Sequence, residues 1–476
     1  MPPDAVATLP GRLRAFWQRY RFQFWTKTRN VAAHALAYVS GLLRMKEKRN
    51  FREIERQTGV ASGNLQHFMT DSPWVAQNVI RQVQQEVAST PVLQHGSTLL
   101  LDESADAKSG PHTVGSGRQH NGRLGKTDMC QVGVFLAVVN ESTWTWVDGE
   151  LFVPEAWLAE GDAATARRTR VGLPADRTFK TKVELGWEMI ERAIDQGLPF
   201  DLLACDDLYG RANWFRAKLA QRGVLYMADV PRNTRVYEQC PEWGVPTPKK
   251  PMGKRKLKAR VLSPQPWVWA SEIAARPDTA WRTLRVRSTA RGELQGTYAA
   301  CRVWTLRDEQ PAEEWLVLRR EADGDVTYAL SNTPADCPLE ELARMEAQRY
   351  FVERAIQDAK SELGWDECQA LKYCAWEHQL ALTILASWFI AQTRLDWQAQ
   401  YPADPEVQQL LEVDELPVLS VANVRELLCA TMPLPELSPA QASDLVVEHL
   451  LNRTRSRKSR LKKQRAQMRN PSSESG

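Results

Sequence analysis

The chain has 476 residues, 43% hydrophobic and 25% charged, with a formal net charge of +4. These values exclude a disordered or low-complexity chain, and the length implies two to four units with ample core. No run of about eighteen apolar residues exists to span a membrane, and no apolar stretch near the start reads as a secretory signal.

The charge is unevenly spread. Residues 1–58 carry twelve Lys/Arg against four Asp/Glu, and residues 450–476 carry nine against one, so the middle is acidic. Basic ends around an acidic middle fit a protein that grips a polyanion and keeps carboxylates inside for metal. The eight cysteines contain no CxxC, and Cys368, Cys374 and His378 are poorly spaced for zinc. Scattered cysteines of this kind suit a reducing compartment.

In chain order, residues 12–90 read as helical throughout. Within them "NFREIERQTGVASGNLQHFMTDSPW" (50–74) has the shape of a helix-turn-helix, with FREIERQT, a turn at Gly59, then SGNLQHFM. A plain helical hairpin has the same pattern. Arg44, Lys46, Lys48, Arg49, Arg52 and Arg56 crowd this segment and favour DNA contact. Strands are predicted at "STLLLDES" (97–104), "CQVGVFLAVV" (130–139) and "WTWVDGELFVP" (144–154). An amphipathic helix follows at 178–196, then the strand "FDLLACDDLYG" (200–210), a helix at 213–222 and the strand "VLYMADV" (224–230).

Three strands, helix, strand, helix, strand is the order of a ribonuclease-H-like core. There the first and fourth strands are neighbours, and the acids at their ends, Asp102 and Asp206, would sit side by side. The closing helix is displaced to 339–363. Between lies a β-rich insertion with "WRTLRVRST", "CRVWTLR", "EWLVLRR" and a basic loop around Lys254, Arg255 and Lys256. At about 100° per residue, Arg349, Glu353 and Lys360 share one line on the closing helix, beside an apolar stripe of Val352, Ile356 and Leu363. An exposed ion-paired helix face would look the same. Further helices are predicted at 375–399 and 438–453, and the basic tail after them is expected to be disordered in isolation. The division is therefore a helical DNA-binding domain (1–92), a ribonuclease-H-like core in two parts (93–230 and 336–400), the insertion (231–335) and a helical C-terminal region (401–476).

Carboxylates converging from two strand ends and a late helix make an oxygen-lined site for two Mg²⁺ ions, with Mn²⁺ able to substitute. Two such ions can activate a water or 3′-hydroxyl and stabilise the leaving oxygen of a phosphodiester. Glu103 and Asp207 are rival ligands, disfavoured here because strand alternation turns them to the opposite face.

"LDES", "HTVGSGRQHNGRLGKTDMCQVGVFLA", "DDLYG" and "RYFVERAIQDAKSELGWDE" also resemble the DDE transposases of bacterial insertion sequences, most of all the insertion-sequence 701 family, over about residues 40–390. The resemblance implies that Asp102, Asp206 and Glu353 bind metal and that Arg349 and Lys360 hold phosphates. Related transposases with a β-rich insertion carry Tyr-x2-Arg-x3-Glu-x6-Lys on the late helix. Arg349, Glu353 and Lys360 match it, whereas Glu346 stands at the Tyr place. The resemblance also assigns Trp315 as a base-stacking residue, although a strand Trp serves packing equally well. Lys108, Arg118, Gln119, His120 and Lys126 are expected along the DNA path, with a purely structural turn role as the alternative for His120. The resemblance thus implies a cytoplasmic, nucleoid-associated, cut-and-paste transposase. It would bind double-stranded DNA at its terminal inverted repeats, pair two ends as a homodimer, cleave with metal and join 3′-ends to target DNA. The alternatives are a catalytically silent DNA-binding regulator and a nuclease that never joins strands.

Overall fold

The computed structural model describes residues 3–141, 143–246, 258–262, 266–289, 292–308, 310–401, 409, 419–434 and 438–469. It divides into two units, 1–432 and 433–476.

The first unit opens with α1 (Pro3–Ala7), α2 (Leu9–Tyr20), α3 (Ala32–Arg44), α4 (Phe51–Thr58), α5 (Ser62–Thr70) and α6 (Ala76–Ala88). The helix-turn-helix shape at 50–74 is present. Asn50 caps α4 by accepting from the N–H groups of Arg52 and Glu53 at 3.1 Å each. Gly59 ends that helix at φ 74°, a left-handed value that favours glycine. Ile54, Leu65, Phe68 and Met69 are buried, so one face of the pair is core and the other is solvated. The segment 12–90 is not helical throughout, however. A tight turn with a Trp25–Asn30 bridge separates α2 from α3.

The sheet begins with β1 (Ser97–Ala107), β2 (Gly117–Asn121), β3 (Lys126–Asn140) and β4 (Thr143–Phe152). It continues through α7 (Asp162–Val171), α8 (Lys182–Asp195), β5 (Leu202–Cys205), α9 (Asp207–Gly210), α10 (Asn213–Gln221) and β6 (Tyr226–Asp229). β3 runs antiparallel to β1 and β4, while β1, β5 and β6 are mutually parallel. This is the expected ribonuclease-H-like arrangement. Parallel strands covered on both faces must be apolar throughout, as Leu99–Leu101 and Leu202–Cys205 are.

The insertion contains β7 (Arg235–Tyr237), β8 (Trp243–Gly244), β9 (Arg260–Val261), β10 (Trp267–Trp269), α11 (Ala270–Ala274), β11 (Arg282–Thr289), β12 (Gly292–Arg307), β13 (Gln310–Arg320) and β14 (Val326–Ser331). It is β-rich, as its sequence implies, yet apart from the small antiparallel β8–β9 pair its strands join the core sheet and form no separate one. β14 pairs with β6, and the ladder runs on through β13 and β12 to β7 and β10. A bare β6 would leave a row of backbone N–H and C=O groups unpaired, and the insertion covers them. Lys254, Arg255 and Lys256 lie outside the described residues.

The closing helix is broken into α12 (Leu339–Ala347) and α13 (Tyr350–Ser361). α14 (Tyr373–Gln400) is apolar on all sides and buried for most of its length, against β4, α6 and α3. α15 (Val421–Thr431) completes the first unit. In the second unit, α16 (Pro439–Arg469) extends through the basic tail. Residues 440–469 contain neither Gly nor Pro, and their many Arg, Lys, Gln and Leu residues favour helix. Among the described residues, no helix is long and apolar enough to cross a membrane.

Candidate active site

Strand register builds one wall of the site. Leu101 lies opposite Cys205 in the parallel pair, so Asp102 and Asp206 are the next residues on adjacent strands. β5 ends there because Asp206 accepts from the Leu208 N–H at 3.0 Å and caps α9. "DDLYG" is thus a strand end and a helical turn, not the continuous strand expected to residue 210. Its glycine has a packing reason: a Cβ on Gly210 would lie 1.9 Å from the Asp229 carbonyl oxygen at the end of β6.

Asp102, Glu103 and Asp206 each offer a carboxylate oxygen, all within 4.8 Å of one another. Such a group could hold a divalent cation, and its hard oxygen donors suit Mg²⁺ or Mn²⁺. This corrects the expectation that alternation turns Glu103 away. β1 runs on past the end of β5, so no neighbouring strand on that side confines the longer Glu side chain. One Glu103 oxygen accepts from Lys182 Nζ at 2.8 Å, and the other is buried with no hydrogen-bond partner. An orphaned carboxylate oxygen is the feature a cation would satisfy. Asp207 pairs instead with Arg211.

The electrostatics agree. Burial, then the neighbouring Asp206 and Glu103 charges, push Asp102 well above the ordinary aspartate range. Burial and then Glu103 push Asp206 up to about 7. Carboxylates crowded without a cation hold protons, and a bound metal would displace them.

The second wall is α13. Arg349 sits where α12 gives way to it. There the Arg349 and Val352 N–H groups donate to carbonyls three residues back, a tightened turn that interrupts the predicted single helix. The Arg349 guanidinium donates to Asp229 and, at 3.1 Å, to Glu353. The Glu353 side chain is 64% exposed, and Glu353 is not part of the three-acid group. Lys360 Nζ pairs with Asp106 at 2.8 Å and donates to the Ala105 carbonyl at 3.0 Å. Both walls line one cleft of about 1170 Å³, which includes Asp102, Glu103, Asp206, Arg349, Glu353, Lys360 and His120.

Other expected residues lie elsewhere. Arg118, Gln119 and Lys126 are on the β2–β3 hairpin, outside the cleft lining, and Gln119 Nε2 donates to the Cys130 carbonyl at 3.0 Å. Lys108 Nζ reaches the Cys368 carbonyl at 3.5 Å. Trp315 is built into β13, with Nε1 donating to the Pro334 carbonyl at 3.0 Å and Arg302 5.0 Å from its ring. Glu346, at the Tyr place of the motif, is 4% exposed and bonded to Tyr298 and Arg319. A carboxylate there closes a core ion pair.

Three neighbours of the cleft were missed from the sequence, and a fourth, Arg49, was expected in another role. Asp229 ends the third parallel strand, the same signal that singled out Asp102 and Asp206, and burial raises it to about 7 despite Arg349. Asp106 and Lys182 carry no comparable signal. Arg49 is not turned toward DNA as expected: it is 2% exposed, bonds Glu367 and donates to the Glu362 carbonyl at 2.8 Å, just past the end of α13. Gly364 (φ 64°) answers to it, since a Cβ there would lie 2.5 Å from Arg49 Cδ.

The family described as "DDE superfamily endonuclease" matches residues 23–293, which include Asp102 and Asp206 but not α13. The chain is 24% identical over 348 residues to a "Probable transposase for insertion sequence element IS701" of Microchaete diplosiphon, covering 72% of this chain and 78% of that one. A solved piggyBac transposase synaptic complex with hairpin DNA aligns at TM-score 0.37 and 10% identity, covering 93% of this chain and 82% of that one. That likeness is too loose to place any residue. The matched length includes both strand-end aspartates of the cleft, and a silent regulator finds no support in a site whose acids are in place. The chain belongs to the DDE superfamily endonucleases, as its motif resemblance to the insertion-sequence 701 transposases implied.

Proposed function

We propose that this enzyme is a cut-and-paste transposase that recognises the terminal inverted repeats of its own element, cleaves there and joins the 3′-ends to target DNA. The observation that carries this reading is the parallel register that sets Asp102 beside Asp206 at the mouth of a cleft lined by Arg349 and Lys360. A duplex backbone offers the phosphates those cations fit. The similarity to the probable transposase of IS701 supports joining as well as cutting.

Asp102 and Asp206 are proposed to hold two Mg²⁺ ions, with Glu353 turning in from the opposite wall, its side chain exposed and held, among the described residues, only by the Arg349 ion pair at 3.1 Å. Bound Mg²⁺ would supply Lewis-acid charge and a water or hydroxyl of lowered pKa. Glu103, tied to Lys182 through one oxygen, would offer its other oxygen to the same cations. Arg349 is pre-aimed by Asp229, so its fork meets a phosphate without first being ordered. α5 is proposed to read the terminal repeat, and two copies to pair the two ends.

The test is cleavage of DNA carrying the element's ends, with Mg²⁺ and with EDTA, comparing wild type and Glu353→Gln. Metal-dependent breaks lost in the variant support the assignment. Full cleavage by Glu353→Gln removes that residue from it. Precut ends supplied with target DNA separate a transposase from a nuclease, which yields no joined product.

A further inference from the structure

We infer that the turn spanning residues 21–30 is a second contact to duplex DNA, one that grips the phosphate backbone without reading sequence; this rests on the DNA-binding reading above. From residue 5 to residue 46 the chain has eight Lys/Arg and no Asp or Glu. Some of these cations are neutralised in the fold: Arg12 pairs with Asp396, and Arg19 with Glu86. Lys27 and Arg29 are exposed and make no ion pair among the described residues.

The turn is built before any partner arrives. Trp25 and Asn30 form a bridge. The Thr26 N–H donates to the Arg29 carbonyl at 2.8 Å, and the Arg29 N–H donates to the Thr26 hydroxyl at 3.1 Å. Phe24 is fully buried, stacked on Trp17 at 5.4 Å and edge-on to Trp74 at 5.0 Å, so the turn is bolted to the end of the helix-turn-helix. Its neighbours do the opposite. Phe22 is 53% and Trp25 56% exposed, with their rings in edge contact at 5.1 Å and Arg21 4.7 Å over Phe22.

A single exposed aromatic needs no explanation, but two adjoining rings, each more than half exposed, leave an apolar patch in water that a partner would cover. Paired rings flanked by three cations, on a stretch of chain without an acid, match a polyanion whose deoxyriboses offer apolar faces between the phosphates. A protein partner would have to bring its own acidic surface. The rigid turn also pays little ordering entropy on binding.

The experiment compares wild type, Trp25→Ala and Lys27→Ala/Arg29→Ala on a duplex carrying the element's end and on a random duplex of equal length, across a salt series. Thermal melting confirms that each variant is folded, and sedimentation gives its oligomeric state. The double variant is expected to lose affinity by the same factor on both duplexes and to lower the salt slope by about 1.8, from about 0.9 per phosphate contact. Trp25→Ala is expected to weaken both duplexes by the same factor, with the salt slope unchanged because no charge is removed. Unchanged affinity and slope in folded variants overturns the proposal. So does a loss confined to the element's end, or a change in oligomeric state with DNA affinity intact. If wild type binds neither duplex, the DNA-binding reading itself has failed.

Discussion

The two walls of the cleft are held in different ways. On the sheet side, Asp102 and Asp206 are placed by backbone hydrogen bonds, one residue beyond the Leu101–Cys205 pair. On the helix side, Arg349 and Lys360 are placed by their side chains, through ion pairs to Asp229 and Asp106. A register cannot shift by a fraction of a residue, whereas an ion pair can exchange its anion for a phosphate. The sheet wall is therefore a fixed frame for metal, and the helix wall is pre-aimed but releasable.

The largest effect should come from the fixed wall. Asp102→Asn or Asp206→Asn should lower end cleavage by about 10³-fold or more, the scale of losing a group that stabilises transition-state charge, while binding of the element's ends persists. Asp229→Asn should test the releasable wall. With Arg349 no longer aimed, cleavage should fall about 10²-fold with little change in end binding, since small misplacements carry costs of that size. If cleavage is unchanged, Arg349 finds its position without Asp229.

Gly210→Ala attacks the frame without touching a carboxylate. Its Cβ would meet the Asp229 carbonyl at 1.9 Å, so thermal or denaturant unfolding should show a loss of about 1–3 kcal/mol. The acid-against-acid frame also predicts a pH signature. Asp206 is raised from 3.8 to about 7, so between those values the folded protein binds more protons than the unfolded chain. Metal-free stability from this group is complete below about pH 4 and is lost as pH rises toward 7. Melting temperatures for wild type minus Asp206→Asn, with and without Mg²⁺, should show this slope only without metal. The smallest effect belongs to Lys360 and Asp106, for which a double-mutant cycle should give a coupling of about 1 kcal/mol. Zero coupling would mean that Lys360 is free for DNA from the start.

Much of the frame was legible because it depends on local pattern. An apolar run ending in an acid marks a strand that leaves the core at its C-terminal end, and "STLLLD" and "LLACD" both do so. The pair of helices around Gly59 was legible too, though its pattern alone did not separate a helix-turn-helix from a plain helical hairpin. Glu103 was misjudged because alternation is a rule about Cβ directions, and a long side chain at an open strand edge escapes it. Trp315 could be placed on a strand, but the Pro334 carbonyl that accepts from its indole could not be foreseen.

By itself the sequence determined the kinds of element, their order and the two strand-end acids, because hydrophobic period and capping act over a few residues. Only the tertiary structure decided what holds the other wall. Asp229 lies 120 residues before Arg349, and Lys360 lies 255 residues after Ala105. Arg49 reaches across the chain to the end of α13. The insertion's merger with β6 was equally out of sight, because an edge strand's need for a partner does not say which distant strand will supply it. Ion pairs and edge pairings join residues through space at single points, and they leave no periodic trace along the chain.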